Sequence, residues 1–257
     1  NLLRGYKSSV ISSTKVIEHY FKDFKELYAD RITSNPVKFP GFRDAIEQAL
    51  DNGVTPCGVV TGLGTFTNGE NGKAATDKKN APKKQKTSYR VGLVVSNIEF
   101  QAGAFDMASC EKVCRLLDDC ARLKLPVIFF ISSAGMQTKE GGGSLFSMAI
   151  INERITRFVK DLDLPVLCFG FRDCTGGAQA SFVTHLLVRT YFFSGSQIPF
   201  AGQLVVESHL PVHSTLSNYL STNPGTMDGL VKNPFDADID QKLLEIDPQI
   251  PVAKYSV

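Results

Sequence analysis

Apolar residues recur at two different spacings along this chain, and the change between them divides it. Residues 14–28 place Val16, Ile17, Tyr20, Phe21, Phe24, Leu27 and Tyr28 three and four apart, which predicts a helix. Residues 42–51 predict a second, shorter helix. Gly53, Pro56 and Gly58 then punctuate the chain, and Gly58-Val-Val-Thr61 opens a strand. The run Arg90–Ile98 is apolar and β-branched without alternation, as expected of a strand covered on both faces.

From that point the pattern becomes regular. A helix from Asp106 to Leu123 turns Met107, Val113, Leu116, Leu117 and Cys120 inward, and a strand, Pro126–Ser132, follows it. A Gly-rich turn then leads to a long helix, Ser144–Asp161, and to another strand, Pro165–Gly170. A second Gly-rich turn precedes an apolar helix from about Ala178. Leu125-Pro126-Val127-Ile128 and Leu164-Pro165-Val166-Leu167 open equivalent strands 39 residues apart. This internal repeat predicts an α/β fold with parallel strands and right-handed crossovers. Beyond Gln203 the pattern is mixed, with a helix expected at 214–221 and an acidic, then Pro-containing tail from Pro234.

Composition narrows the class. At 257 residues and 43% hydrophobic the chain has enough apolar side chain to offset its conformational entropy, so disorder as the main state is excluded. No apolar stretch approaches the ~18 residues of a transmembrane helix, and the first twenty residues lack an apolar signal-peptide core. A single domain over residues 1–257 is expected. The net charge of +2 conceals an asymmetry: Lys73–Arg90 holds seven basic residues against one acid, Asp77, while the rest of the chain is net acidic. The Lys-rich stretch at 69–88, with its Gly, Asn, Ala and Pro, reads as a flexible solvated loop. Phosphate capture is the alternative. Nucleic-acid binding is not expected, since no aromatic platform is interleaved with the lysines.

The six cysteines form no CxxC, and Cys110 and Cys114 have no second ligand pair at a metal-binding spacing, so no metal is expected. Scattered in apolar runs, they read as small buried hydrophobes in a reducing compartment, the cytoplasm or an organellar matrix. The four histidines, His19, His185, His209 and His213, lie beside no carboxylate or nucleophile in a motif, and His185 reads as a core residue of the last apolar helix. There is no GxSxG elbow. An enzyme built on this sequence would work through its backbone, with the base supplied by substrate or cofactor.

The backbone candidates are the two turns, Ile131-Ser-Ser-Ala-Gly-Met-Gln137 and Arg172-Asp-Cys-Thr-Gly-Gly-Ala-Gln-Ala-Ser-Phe182. Both connect the C-terminal end of a strand to a helix, the edge at which open α/β sheets bind ligands. Neither fits GxGxxG or GxxxxGK[ST]. Two readings stay open: plain helix capping by Gly and Ser, or an oxyanion hole in which amide donors of the two turns converge, each worth roughly 2.7–4 kcal/mol.

At these turns the chain resembles a family. Ile131–Ala149 (ISSAGMQTKEGGGSLFSMA) is similar to the "SASGGARMQEG…SLMQMA" segment of carboxyltransferase subunits of biotin-dependent acyl-CoA carboxylases, above all the bacterial acetyl-CoA carboxylase β subunit. Asp173–Phe182 (DCTGGAQASF) resembles that family's "DPTxGGVxASFA", and Ile98–Met107 (IEFQAGAFDM) its "FEFxFMGGSMG". Ile198–Gly202 (IPFAG) and Gly225–Val231 (GTMDGLV) resemble "IGFAG" and "GAVDMIV", and Phe24–Arg31 (FKELYADR) the "FxELHGDR" of the α subunit. The pieces keep the family's order over 91–232. The chain departs from the family at "GGAR", here Ser133-Ala134-Gly135 without the Arg, and at the shortened Thr175-Gly176-Gly177; the β subunit's zinc ribbon has no counterpart.

The resemblance implies a crotonase fold, a spiral of ββα repeats. It implies transfer of a carboxyl group from carboxybiotin to acetyl-CoA, forming malonyl-CoA for fatty acid synthesis, with the thioester oxygen held by backbone amides. Carried over by position, the donors are those around Ala134 and Gly135 and around Gly177 and Ala178. Ala102, Gly103, Ala104 and Gly176 line the substrate, and Lys139 is a candidate for the CoA phosphates. The implied cofactor is biotin on a partner, a biotin carboxyl carrier protein. The implied second half of the site is an α-like subunit or a further copy of the chain. Two alternatives accompany this expectation: a non-catalytic subunit that scaffolds a carboxylase complex, and another acyl-CoA hydratase or decarboxylase, for which Glu140 and Asp173 would be the carboxylates.

Overall fold

A computed structural model describes residues 12–67 and 88–192. The expectations for the Lys-rich stretch up to Thr87, the helix at 214–221, the two downstream family segments and the tail lie outside these residues.

Helix α1 (Ser13–Tyr20) starts on Ser12, whose hydroxyl accepts from the Lys15 N–H. It stops where strand β1 (Phe21–Glu26) begins, so the single helix expected over 14–28 is a correction. The cause lies in a bulge. The pairing of β1 with β2 shifts register between Lys22 and Lys25, and Asp23 takes a left-handed φ of 50°. The extra residue puts Phe21 and Phe24, three apart, against the same core cluster, which imitates a helical period.

Helix α2 (Phe42–Asp51) is followed by β2 (Val59–Thr67) and β3 (Ser88–Ser96), antiparallel along their whole length from Val59↔Ser96 to Thr67↔Ser88. Then come α3 (Met107–Leu123), β4 (Val127–Ser133), α4 (Gly142–Lys160) and β5 (Val166–Cys174). A short helix α5 (Gly176–Ala178) runs into one π turn (Gln179–Val183) before β6 (Arg189–Phe192). The six strands form one sheet in sequence order, antiparallel from β1 to β3 and parallel from β3 to β6. Val127 pairs with Val166 and Ile128 with Leu167, so the 39-residue repeat is the register of two adjacent strands. The apolar helix expected from Ala178 is only the π turn, and His185 lies beyond it, half-buried, with Nε2 3.1 Å from Thr156 Oγ1.

Both faces of the parallel strands are covered. Val127, Phe129 and Ile131 of β4 pack towards α3 and α4, with Val113, Leu116, Ile151 and Ile155. Ile128 and Phe130 face the opposite side, with Val16, Ile17 and Tyr20 of α1. On that side the rings of Tyr20, Phe130, Phe169 and Tyr191 stack in series, with centroids 5.3, 5.3 and 5.8 Å apart. Met107, expected inward on α3, is 44% exposed at the helix start. All six cysteines are free thiols, and burial pushes Cys57, Cys120 and Cys174 up to about 12, far from thiolate chemistry.

Candidate active site

Three turns stack at the C-terminal ends of β3, β4 and β5, and main-chain hydrogen bonds join each to the next. Ala134 N–H donates to Ala102 O at 3.1 Å, Phe105 N–H to Gly135 O at 2.8 Å and Gln137 N–H to Phe105 O at 2.7 Å. Thr175 N–H donates to Ser133 O at 2.9 Å. The first turn is left-handed over three successive residues, Gln101, Ala102 and Gly103, with φ of 46°, 52° and 67°. Two of these are not glycine, a strained arrangement held by the bonds on either side.

The second and third turns meet backbone to backbone. Gly135 has φ 104°, and a β-carbon there would stand 3.3 Å from Thr175 O and 3.4 Å from Gly177 N. Any side chain at 135 would therefore cover the Gly177 amide. Ala102 and Ala134 are exposed, Gly176 and Gly177 half-buried, and Gly103, Ala104, Gly135 and Ala178 buried. The rim is thus made of side chains no larger than a methyl.

The amides of this rim are not equally available. Ala134 N–H is committed to Ala102 O, and Gly135 N–H donates to Ser133 Oγ at 3.1 Å. The Ser133 hydroxyl itself donates towards Gly103 O at 2.7 Å. Gly177 and Ala178 stand in the first turn of a helix, where amides lack intrahelical partners, and find no acceptor among the described residues. Met136 and Met148 close on the Gly177 α-carbon, leaving no room for a β-carbon unless they shift.

Charged groups near the turns are engaged elsewhere. Lys139 Nζ donates to Gln101 Oε1 at 2.8 Å and lies 5.3 Å from the centroid of the Phe42 ring, which ties the second turn to the first. Glu140 is 2% exposed. One of its oxygens accepts from Thr33 Oγ1 and the other from Met107 N–H at 2.6 Å. Burial raises the Glu140 pKa above the ordinary carboxylate value, and nearby Asp106 adds to the effect. Asp106, fully buried, caps α3 by accepting from Ser109 N–H at 2.6 Å and also holds Gly58 N–H at 2.9 Å. Burial raises its pKa too. Asp173 is exposed, and its carbonyl accepts from Ser132 Oγ. Among the described residues no group of three or more His, Cys, Asp or Glu is placed to hold a metal.

A cavity of about 700 Å³ opens beside the turns, between residues 30–34, α3 and α4. Glu140, the carboxylate considered for a hydratase, borders it with Gly143, but none of the residues nominated for carboxyl transfer does. Sequence reasoning missed Ser133, Gln101, Met136 and Met148. A serine two residues before a glycine is the only one of these with a local signal, because its hydroxyl can reach the amide of residue i+2.

Fold and turns together define a mixed α/β protein of repeating strand–helix units on an open sheet, in keeping with a crotonase-like architecture. No family model matches the chain. It is 31% identical over 189 residues to the acetyl-coenzyme A carboxylase carboxyl transferase subunit beta 1 of Lachnospira eligens, covering 72% of this chain and 64% of that protein. It is 27% identical over 239 residues to subunit beta 2 of Lactiplantibacillus plantarum, covering 90% of this chain and 75% of that one. Among solved structures, transcarboxylase 12S with methylmalonyl-coenzyme A and methylmalonic acid bound superposes with TM-score 0.57 at 18% identity, covering 77% of this chain and 33% of that one. The similarity to these carboxyl transferase β subunits is distant but consistent, and the chain spans a little under two thirds of the length of the first of them.

Proposed function

We propose that this chain is a carboxyltransferase component of a biotin-dependent acyl-CoA carboxylase, built as a spiral of ββα repeats and acting on acetyl-CoA. The observation that carries the reading is the junction of the two glycine turns: Gly135 lies against Gly176 and Gly177, and the Gly177 and Ala178 amides beside it have no acceptor among the described residues. The thioester oxygen accepts from these amides, which hold its charge as the α-carbon becomes nucleophilic. One such donor contributes on the order of 10²–10³ in rate. Gly135 supplies a further donor once the Ser133 hydroxyl turns away. The small residues of the rim, Ala102, Ala134 and Gly176, let a flat group reach the backbone and carry no acid or base of their own, which suits biotin. When bound, biotin brings the carboxyl group, whose C–N bond is exchanged for a C–C bond to the acyl α-carbon, and a ureido nitrogen that takes the α-proton. Partner chains supply the rest: the carrier of biotin, and an α-like subunit or a second copy for the other half of the site.

A second reading has its own observation. Ala134 and Gly135, two of the four expected donors, already have acceptors, as they would in a subunit that only scaffolds a complex. A hydratase gains nothing from Glu140, both of whose oxygens are taken inside the protein.

The test compares Gly177→Pro, which removes the amide, with Gly177→Ala, which keeps it. In the purified assembly, malonyl-CoA decarboxylation that depends on biocytin should fall about 10²–10³-fold further in the proline variant. Equal rates for the two folded variants would reject the amide. Pull-down of an active partner, with no CoA binding by this chain, would favour the scaffold.

A further inference from the structure

Met107, Cys110 and Cys114 place three sulfurs on one face of α3, at the i, i+3 and i+7 positions. All three residues line the cavity of about 700 Å³ beside the turns. Their face looks onto α4. A β-carbon added to Gly143 would stand 2.5 Å from Met107 Sδ, and one turn further along Cys110 Sγ donates to Ser147 O at 3.7 Å. The third sulfur is joined to the second, because the Cys114 thiol hydrogen-bonds to Cys110. That bond lowers the Cys110 pKa, and the positive charge of Arg154 acts in the same direction. Met107 is exposed and Cys114 half-buried, so solvent reaches the sulfurs. The other cysteines, Cys57, Cys120, Cys168 and Cys174, are fully buried and do not border this cavity.

The helix keeps the thiol pair from closing on itself. A disulfide needs β-carbons about 3.8 Å apart, whereas residues four apart on a helix hold theirs about 5–6 Å apart. An ion seated between the sulfurs supplies the missing length. Thiolates and thioethers prefer soft cations. Zn²⁺ takes four ligands, which this face does not provide, while a soft monovalent ion is satisfied by two or three.

We propose that Met107, Cys110 and Cys114 bind one soft monovalent cation, of the Cu(I) class, on the wall of this cavity. Binding exchanges two thiol protons for one positive charge. The complex keeps one net negative charge, which Arg154 on the same wall offsets. The site stands apart from the glycine turns and does not depend on carboxyl transfer.

The experiment titrates the full chain with Cu(I), in the absence of oxygen, against a coloured Cu(I) chelator. The unaltered protein should take up one ion per chain. Cys110→Ser and Cys114→Ser should lose this uptake, and Met107→Leu should weaken it. Because a serine at buried Cys110 can itself disturb folding, a second measurement uses the unaltered protein: alkylation by iodoacetamide, mapped by peptide mass. Cu(I) should protect Cys110 and Cys114, and an equal amount of Zn²⁺ should not. Alkylation of the pair indifferent to Cu(I), or uptake retained by folded Cys114→Ser, overturns the site. Equal protection by Zn²⁺ overturns the preference for a soft ion, and unchanged affinity in Met107→Leu overturns the three-sulfur set.

Discussion

Glu140 shows how a residue's surroundings decide its role. Its acidic side chain sits on a turn beside the candidate site, yet it serves to fasten the 30–34 segment and the start of α3 to that turn. A glutamine can keep both bonds, accepting from Met107 N–H and donating to Thr33 Oγ1. Glu140→Gln should therefore cost little at neutral pH, whereas Glu140→Ala leaves a buried amide and hydroxyl unpaired and should cost about 1–3 kcal/mol in urea denaturation. The pH dependence follows from the raised pKa. The native state binds this proton more tightly than the unfolded chain, so stability falls as pH rises through the native pKa and recovers as pH drops towards the ordinary carboxylate value of 4.5. Asp106 shifts the same way. Melting curves from pH 5 to 8 should show a shallower fall in Glu140→Gln than in the unaltered protein; parallel curves would mean that Glu140 is no more easily protonated in the fold than outside it.

Among the elements, legibility in the sequence followed the physics of each. The strands buried on both faces announced themselves as apolar runs, and the spacing of the two Leu-Pro openings survived as the pairing of Val127 with Val166. The edge strand β1 did not, because its bulge respaced Phe21 and Phe24. Of the site, the positions of the turns could be read from their glycines. The occupancy of their amides could not: that depends on Ser133 and on carbonyls contributed by a neighbouring repeat. The ring series through Phe130 links α1 to β4, β5 and β6. Phe130→Ala empties a site 1% exposed and should lower stability by about 3–5 kcal/mol in chemical denaturation. A loss under 1 kcal/mol would mean that the neighbouring rings close the gap.

At the scale of the whole molecule, the turns and the cavity beside them lie in one region without coinciding. Along α4, Leu145, Phe146 and Ile150 are exposed by 52%, 74% and 48%. Among the described residues, no helix is long and apolar enough to cross a membrane. The carboxyl-transfer reading requires further chains, and purification of the native assembly should bring a biotinylated protein with it, detectable with streptavidin. Its absence from an assembly that still decarboxylates malonyl-CoA would argue for a reaction without carboxybiotin.

The serine hydroxyl on Gly135 has a consequence for timing. An uncharged carbonyl arriving at that amide merely replaces one neutral acceptor with another, so little is gained on docking. An enolate oxygen binds such a donor about twice as strongly as a neutral acceptor does. In the proposed carboxyl transfer the latch would thus yield only when negative charge accumulates, which would confine its help to the summit of the barrier and withhold it from the resting complex.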